Sequence, residues 1–209
     1  MQQMSAWRDD VSITAGKKEK TMRKLSVFSQ VTLDGYFAGV NGDISWAHKD
    51  SKDAEWNAFV ANNAKSGGPL LFGRITYEMM ASYWPTPSAM QNDPVVAERM
   101  NNLQKVVFSR SLSKVSWNNT KLVRADIAAE IRKMKQEPGE DMAILGSGTL
   151  VSQLAQEGLI DDYQIVVNPI VLGQGRTLFE GAKKPLTLKL TTTRTFKNGN
   201  VLLCYESKT

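Results

Sequence analysis

Short apolar runs recur along the chain, and stretches with apolar residues three or four apart lie between them. Eight runs read as strands: "LSVFSQV" (25–31), "PLLFG" (69–73), "KVVFS" (105–109), "TKLV" (120–123), "MAILG" (142–146), "YQIVVNP" (163–169), "LTLKLTTTRTF" (186–196) and "VLLCYE" (201–206). Several lack polar alternation, as strands covered on both faces do. The intervening pattern is helical. Trp56, Phe59 and Val60 share one face in 53–65, and Ile75, Met79 and Tyr83 share one in 75–83. Pro94 suits the first turn of 94–102. Asp126 can cap 127–136, where Ile127, Ile131 and Met134 form a stripe. A fifth helix, 149–157, stops at Gly158.

Strands alternating with helices predict an α/β fold, a mostly parallel sheet with helices on both faces. The end of the chain departs from that rhythm. In "TRTFKNGNVLLCYE", Asn198-Gly199 separates two strands, the strongest short hairpin signal. The sheet therefore closes with an antiparallel hairpin. There is no internal repeat and no second-domain linker.

Two strand–glycine–helix junctions carry the candidate chemistry. In "AILGSGTLV", two glycines let a ligand approach the backbone, and the next helix offers N–H groups and a positive dipole end to an anion. Ser147 and Thr149 add hydroxyls; the alternative is a tight turn capped by Thr149. A dinucleotide fingerprint of the Rossmann type does not fit, because its third glycine position is Val151 and the next strand ends in Asn168-Pro169 rather than an acid. The second junction, "PLLFGRITYEMM", places Arg74 and Thr76 where a helix begins. An arginine at a positive dipole end suggests a recruited anion, or else a surface acid partner. A third strand end, "VVFSRSLSK", carries Ser109, Arg110 and Ser111. Open α/β sheets bind ligands beyond the carboxyl ends of their strands. Three such ends with Gly, Ser, Thr and Arg fit a ligand bearing several phosphates, and Arg110 beside a ribose would favour NADP over NAD.

Composition narrows the field. The 209 residues suit one globular domain, 23–209, behind a loosely ordered, polar extension, 1–22, with Met22 as an alternative start. The net charge of +5 is concentrated in residues 1–24, where six Lys/Arg face three acids; residues 25–209 hold only +2. That distribution gives no nucleic-acid face. No apolar run suggests a membrane span, roughly 20 residues long. One Cys and one His exclude an internal disulfide and Cys/His zinc sites, which fits a reducing cytoplasm, and no metal is expected. Cys204 reads as a buried thiol and His48 as a surface side chain.

The segments "SQVTLDGYFAGVNGDISW", "LLFGRITYEMM", "VVFSRSL", "ILGSGTLVSQL" and "NPIVLGQGRTLF" occur in the order and spacing of the dihydrofolate-reductase-like superfamily. The chain most resembles its riboflavin-biosynthesis branch, the reductase domain at the carboxyl end of the bifunctional deaminase–reductase (RibD C-terminal domain). "LGQGRTLF" is the segment that points to that branch. The resemblance implies a three-layer α/β/α fold and an NADPH-dependent reductase that passes hydride to a small heterocyclic or ribosylaminopyrimidine-type substrate, similar to 5-amino-6-(5-phosphoribosylamino)uracil reductase. Carried over by position, Gly73, Arg74 and Thr76 contact the cofactor phosphates, and Ser109 and Arg110 lie near the adenosine ribose. Gly146, Ser147, Gly148, Thr149 and Leu150 form the turn over the pyrophosphate. Asp34, Gly35 and Trp46 border the nicotinamide and substrate, with Gly173, Gly175 and Arg176 near the substrate end. A homodimer is also implied.

Hydride transfer needs a proton source or a group that stabilises charge. The familiar carboxylate after the tryptophan loop has no counterpart at the usual offset; Asp50, Asp53 and Glu55 lie nearby. The candidate catalytic carboxylates are therefore Asp34, otherwise a turn residue, and Asp53, otherwise a helix N-cap. A pterin or dihydrofolate reductase, and a non-catalytic nucleotide-binding dimer, are the alternative functions.

Overall fold

A computed structural model of the chain describes residues 22–48, 52–65 and 68–208. The expected extension, apart from Met22, lies outside the described residues, as does Asp50. All eight expected strands form and make one sheet. They are β1 (Leu25–Thr32), β3 (Leu70–Gly73), β4 (Lys105–Phe108), β5 (Thr120–Val123), β6 (Met142–Leu145), β7 (Asp162–Asn168), β9 (Leu188–Thr195) and β10 (Val201–Ser207). Their order is β5-β4-β3-β6-β1-β7-β10-β9. Neighbours from β5 to β7 run parallel, and β10 and β9 add the antiparallel hairpin.

The helices are α1 (Ala54–Lys65), α2 (Arg74–Tyr83), α3 (Pro87–Asn92), α4 (Pro94–Asn102), α5 (Ile127–Gln136) and α6 (Gly148–Gln156). Side-chain alternation along the strands sorts them into two layers. Leu71, Val106, Phe108 and Ile144 pack with Ile131 of α5 and Leu154 of α6. Leu70, Phe72 and Val107 face the other way, onto Tyr77 of α2 and Met100 of α4. Val166 and Leu202 continue that second face beneath Trp56 of α1. This is the α/β/α arrangement expected of the sequence.

Three short elements were not expected: α3, a 3-10 turn at Ser45–His48, and a separate ribbon in which β2 (Tyr36–Ala38) pairs with β8 (Arg176–Thr177). None is long enough to show a period. The sixth helix also starts one residue early, and its N-cap is Ser147, not Thr149.

Lys105 seats β4 against the end of α4. It is 1% exposed, and its ammonium donates to the carbonyls of Met100, Asn101 and Leu103 and lies 4.4 Å from the Trp117 ring centroid. Burial pushes its pKa down to about 8 from 10.5. Between those two values the unfolded chain holds more protons than the folded one, so this residue's contribution to stability rises with pH across that window. We predict that wild-type protein gains melting temperature relative to Lys105→Met as pH rises from 8 to 10.5. Differential scanning calorimetry of the pair reads the gain directly.

Candidate functional site

Because β4, β3, β6 and β1 are adjacent and parallel, their carboxyl ends open on one edge of the sheet. The two glycine junctions meet there. The Gly73 N–H donates to Ser147 Oγ at 2.8 Å, and the Ser147 hydroxyl donates to Thr76 Oγ1 at 2.8 Å. Ser147 and Thr76 are both buried. The bridge joins the ends of β3 and β6 with the starts of α2 and α6.

Neither α2 nor α6 has a side-chain cap, and α4 also begins without one. α1, α3 and α5 begin with Asp53, Thr86 and Asp126 accepting from their first turns. Gly73 has no side chain to offer α2, and the Ser147 hydroxyl is turned across to the neighbouring junction. First-turn N–H groups need an acceptor, from water or a ligand. The backbone at this point is also unusual. Gly146 and Ser147 follow one another in the left-handed region, at φ +60° and +64°. For a serine that conformation costs about 1–2 kcal/mol, and such strain concentrates at functional sites.

Gly148 has a packing reason to be glycine. A Cβ there would stand 2.7 Å from the Phe37 ring. Phe37 belongs to β2, so the β2–β8 ribbon lies against the start of α6. Gly175 serves that ribbon, since a Cβ there would strike the Ala38 carbonyl. Leu150 is a core residue, 3% exposed. Thr149 is exposed on the first turn of α6.

The two arginines differ. Arg74 pairs with Glu78 at 2.8 Å on the surface of α2. Arg110 is exposed at the end of β4, with no ion pair among the described residues. Beside it, Ser109 Oγ accepts from the Leu112 N–H and lies 3.5 Å from Ser111 Oγ.

Both candidate carboxylates are held by hydrogen-bond donors. Asp34 accepts from the Thr32 hydroxyl, the Leu172 N–H and the Gly173 N–H, and so ties the turn after β1 to the loop before β8. The Thr32 hydroxyl first, then those backbone donors, hold its carboxyl below the usual carboxylate range. Gly35 closes that turn at φ +87°, and Gly173 sits in its loop at φ +76°. Asp53 accepts from the N–H groups of Glu55, Trp56 and Asn198, capping α1 and tying it to the β9–β10 turn. Burial pushes its carboxyl up, but the backbone donors outweigh burial and the net direction is down. Both residues serve as anchors, and the donors around each favour its ionised form. Arg176 interacts weakly with Glu180 at 3.4 Å and lies 5.8 Å over the Phe37 ring.

From this edge a groove of about 700 Å³ runs down the sheet face between α1 and the α2–α4 pair. Trp46, Phe37, Thr76, Gly146 and Ser147 line its mouth. Trp46 is 7% exposed, and its Nε1 has no hydrogen-bond partner among the described residues. It also borders a second cavity of about 510 Å³, walled by Asp53, Asn168 and the hairpin turn. Sequence reasoning missed the groove's floor: Phe28, Gln164 and Cys204 read as strand interior, yet each is only half-buried and lines it. Burial pushes the Cys204 thiol up.

Known proteins share this architecture. The sequence profile of the RibD C-terminal domain matches residues 23–202. Protein YyaP of Bacillus subtilis (strain 168) is 30% identical over 184 residues, 88% of this chain and 95% of its own length. The diaminohydroxyphosphoribosylaminopyrimidine deaminase/5-amino-6-(5-phosphoribosylamino)uracil reductase of Thermotoga maritima superposes with a TM-score of 0.65 at 16% identity, over 90% of this chain and 58% of that one. Dihydrofolate reductase of Enterococcus faecalis, solved with NADP(H), superposes with a TM-score of 0.61 at 13% identity, over 89% of this chain and 97% of that one. Those two structures share the fold with this protein. By the profile match over residues 23–202, the chain belongs to the RibD C-terminal domain family.

Proposed function

We propose that this protein is a reductase that uses a reduced nicotinamide dinucleotide, NADPH in preference to NADH, to reduce a small heterocyclic substrate. The observation that carries this reading is the Ser147 bridge. It brings two uncapped helix starts together beside a strained Gly146–Ser147 turn, on the edge where parallel strands end. A pyrophosphate is a fitting acceptor for such N–H groups. The Thermotoga maritima protein and the NADP(H)-bound Enterococcus faecalis enzyme, both reductases by name, support the same assignment.

The residues present fit the cofactor. The first turns of α2 and α6 would hold its pyrophosphate, and Arg110 with Ser109 and Ser111 would hold a 2′-phosphate. Reduced nicotinamide supplies a hydride when bound. The groove mouth, lined by Trp46, Phe37 and Thr76, would hold the acceptor against the nicotinamide. Neither Asp34 nor Asp53 can give up a proton at neutral pH, because both are already ionised. On this reading the proton would come from water reaching the groove mouth.

Two outcomes follow from this arrangement. NADPH should bind about tenfold or more tightly than NADH, as a charge-assisted contact to one phosphate requires. Arg110→Ala should remove most of that preference. Arg74→Ala should remove less, since Glu78 already occupies its guanidinium. Fluorescence titration of the three proteins with both cofactors measures this, and equal affinities in wild type would refute the phosphate assignment. In turnover, the pH dependence of kcat/KM should show no carboxylate ionisation between about pH 5 and 8. A limb in that range that disappears in Asp34→Asn or Asp53→Asn would return that carboxylate to the proton path.

A further inference from the structure

Among the described residues, the charged groups that line the groove are one lysine, Lys24, and four acids, Asp93, Glu140, Asp141 and Asp162. Lys24 is not free. Its ammonium pairs with Asp162 at 3.2 Å, and its backbone N–H donates to Asp141 at 2.7 Å. Neither Arg74 nor Arg110 reaches the groove lining. A phosphate monoester carries about −1.5 to −2 charges at neutral pH. Among the described lining residues it would meet net negative charge, and the one lysine there is already paired.

The uncharged lining has a definite chemistry. Phe28 of β1 and Gln164 of β7 are direct cross-strand partners, and Gln164 is in turn the partner of Cys204 on β10. Gln164 Oε1 is shielded from solvent and accepts no hydrogen bond. The opposite wall is apolar, with Met79, Met80, Trp84 and Val96. At the mouth, Trp46 Nε1 is a buried donor without an acceptor. A buried polar atom with no partner destabilises a protein unless a ligand or water satisfies it. Among its polar groups, which include Gln30 and Thr191, the groove thus carries a shielded indole donor and a shielded amide acceptor beside an aromatic floor and a soft thioether wall.

We propose that the substrate of this site is an uncharged, planar heterocycle with ring carbonyl and ring N–H groups, and that the groove excludes phosphorylated substrates. A ring carbonyl accepts from Trp46 Nε1 and a ring N–H donates to Gln164 Oε1. The ring lies against Phe28, and Met79 and Met80 adjust to its outline. This inference rests on the reductase reading for which end of the groove faces the cofactor. It separates this chain from any enzyme whose substrate carries a phosphoribosyl group.

Riboflavin and FMN test the charge argument, because they differ by a single phosphate. Either flavin, bound in the groove, quenches tryptophan emission, and Trp46 and Trp84 line it. Titrated without NADPH at low ionic strength, riboflavin should bind about tenfold or more tightly than FMN, and added salt should narrow the gap. Gln164→Leu should weaken riboflavin about five- to tenfold, the loss of one hydrogen bond. Circular dichroism of that variant, and the milder Gln164→Asn, guard against a folding defect. FMN binding as tightly as riboflavin, or no saturable quenching by riboflavin, would overturn the proposal. NADPH titration of the same protein keeps the two readings apart. Flavin selectivity without NADPH binding would sink the reductase assignment and leave the groove's preference standing. NADPH binding with FMN preferred would do the reverse.

Discussion

The Ser147 hydroxyl fastens together two parts of the chain that are 71 residues apart or more. It accepts from the last residue of β3 and donates to a threonine in the first turn of α2, while its own backbone opens α6. One side chain thereby sets the spacing of two helix starts. The cost is visible locally: a non-glycine residue in the left-handed region, and a helix that loses its natural cap. Both make sense if the groups left free are meant for something outside the protein.

The sheet makes that arrangement possible. Four adjacent parallel strands end on one edge, so the chain turns into helix or loop beyond each of them at similar height. Lys105 seats the amino end of β4 on the far side of the sheet, and Asp34 and Asp53 tie down loops at the carboxyl edge. The two carboxylates that looked most chemical in the sequence are therefore part of the frame. Each is surrounded by hydrogen-bond donors, which stabilise the anion.

Most of the fold was legible in the sequence because its strands are short apolar runs and its helices carry regular stripes. The ribbon of β2 and β8 was not, since three residues and two residues have no period to read. The junction glycines were legible as local chemistry. That β3 and β6 are neighbours was not, because strand order leaves no mark on spacing. Gly148 shows the ambiguity of a motif: it stands in a phosphate-type turn, yet the Phe37 ring alone would demand it. The groove floor was hidden for a similar reason. Phe28, Gln164 and Cys204 lie on three different strands, and only the cross-strand register brings them into one row. Trp46 entered through family resemblance, since nothing about "DISWAH" by itself distinguishes a groove wall from a core aromatic.

Charge is distributed along the site in a way that separates its two ends. At the strand carboxyl ends lie Arg74, Arg110 and the positive ends of two helix dipoles. Down the sheet face toward β1's first residues lie Asp141, Asp162 and Glu140. Under the proposed function, a dinucleotide would place its phosphates on the first region and its uncharged ring nearest the groove, and a substrate without charge would meet less repulsion from the second. On that proposal, the fixed field of the fold would sort the two ligands without a moving part.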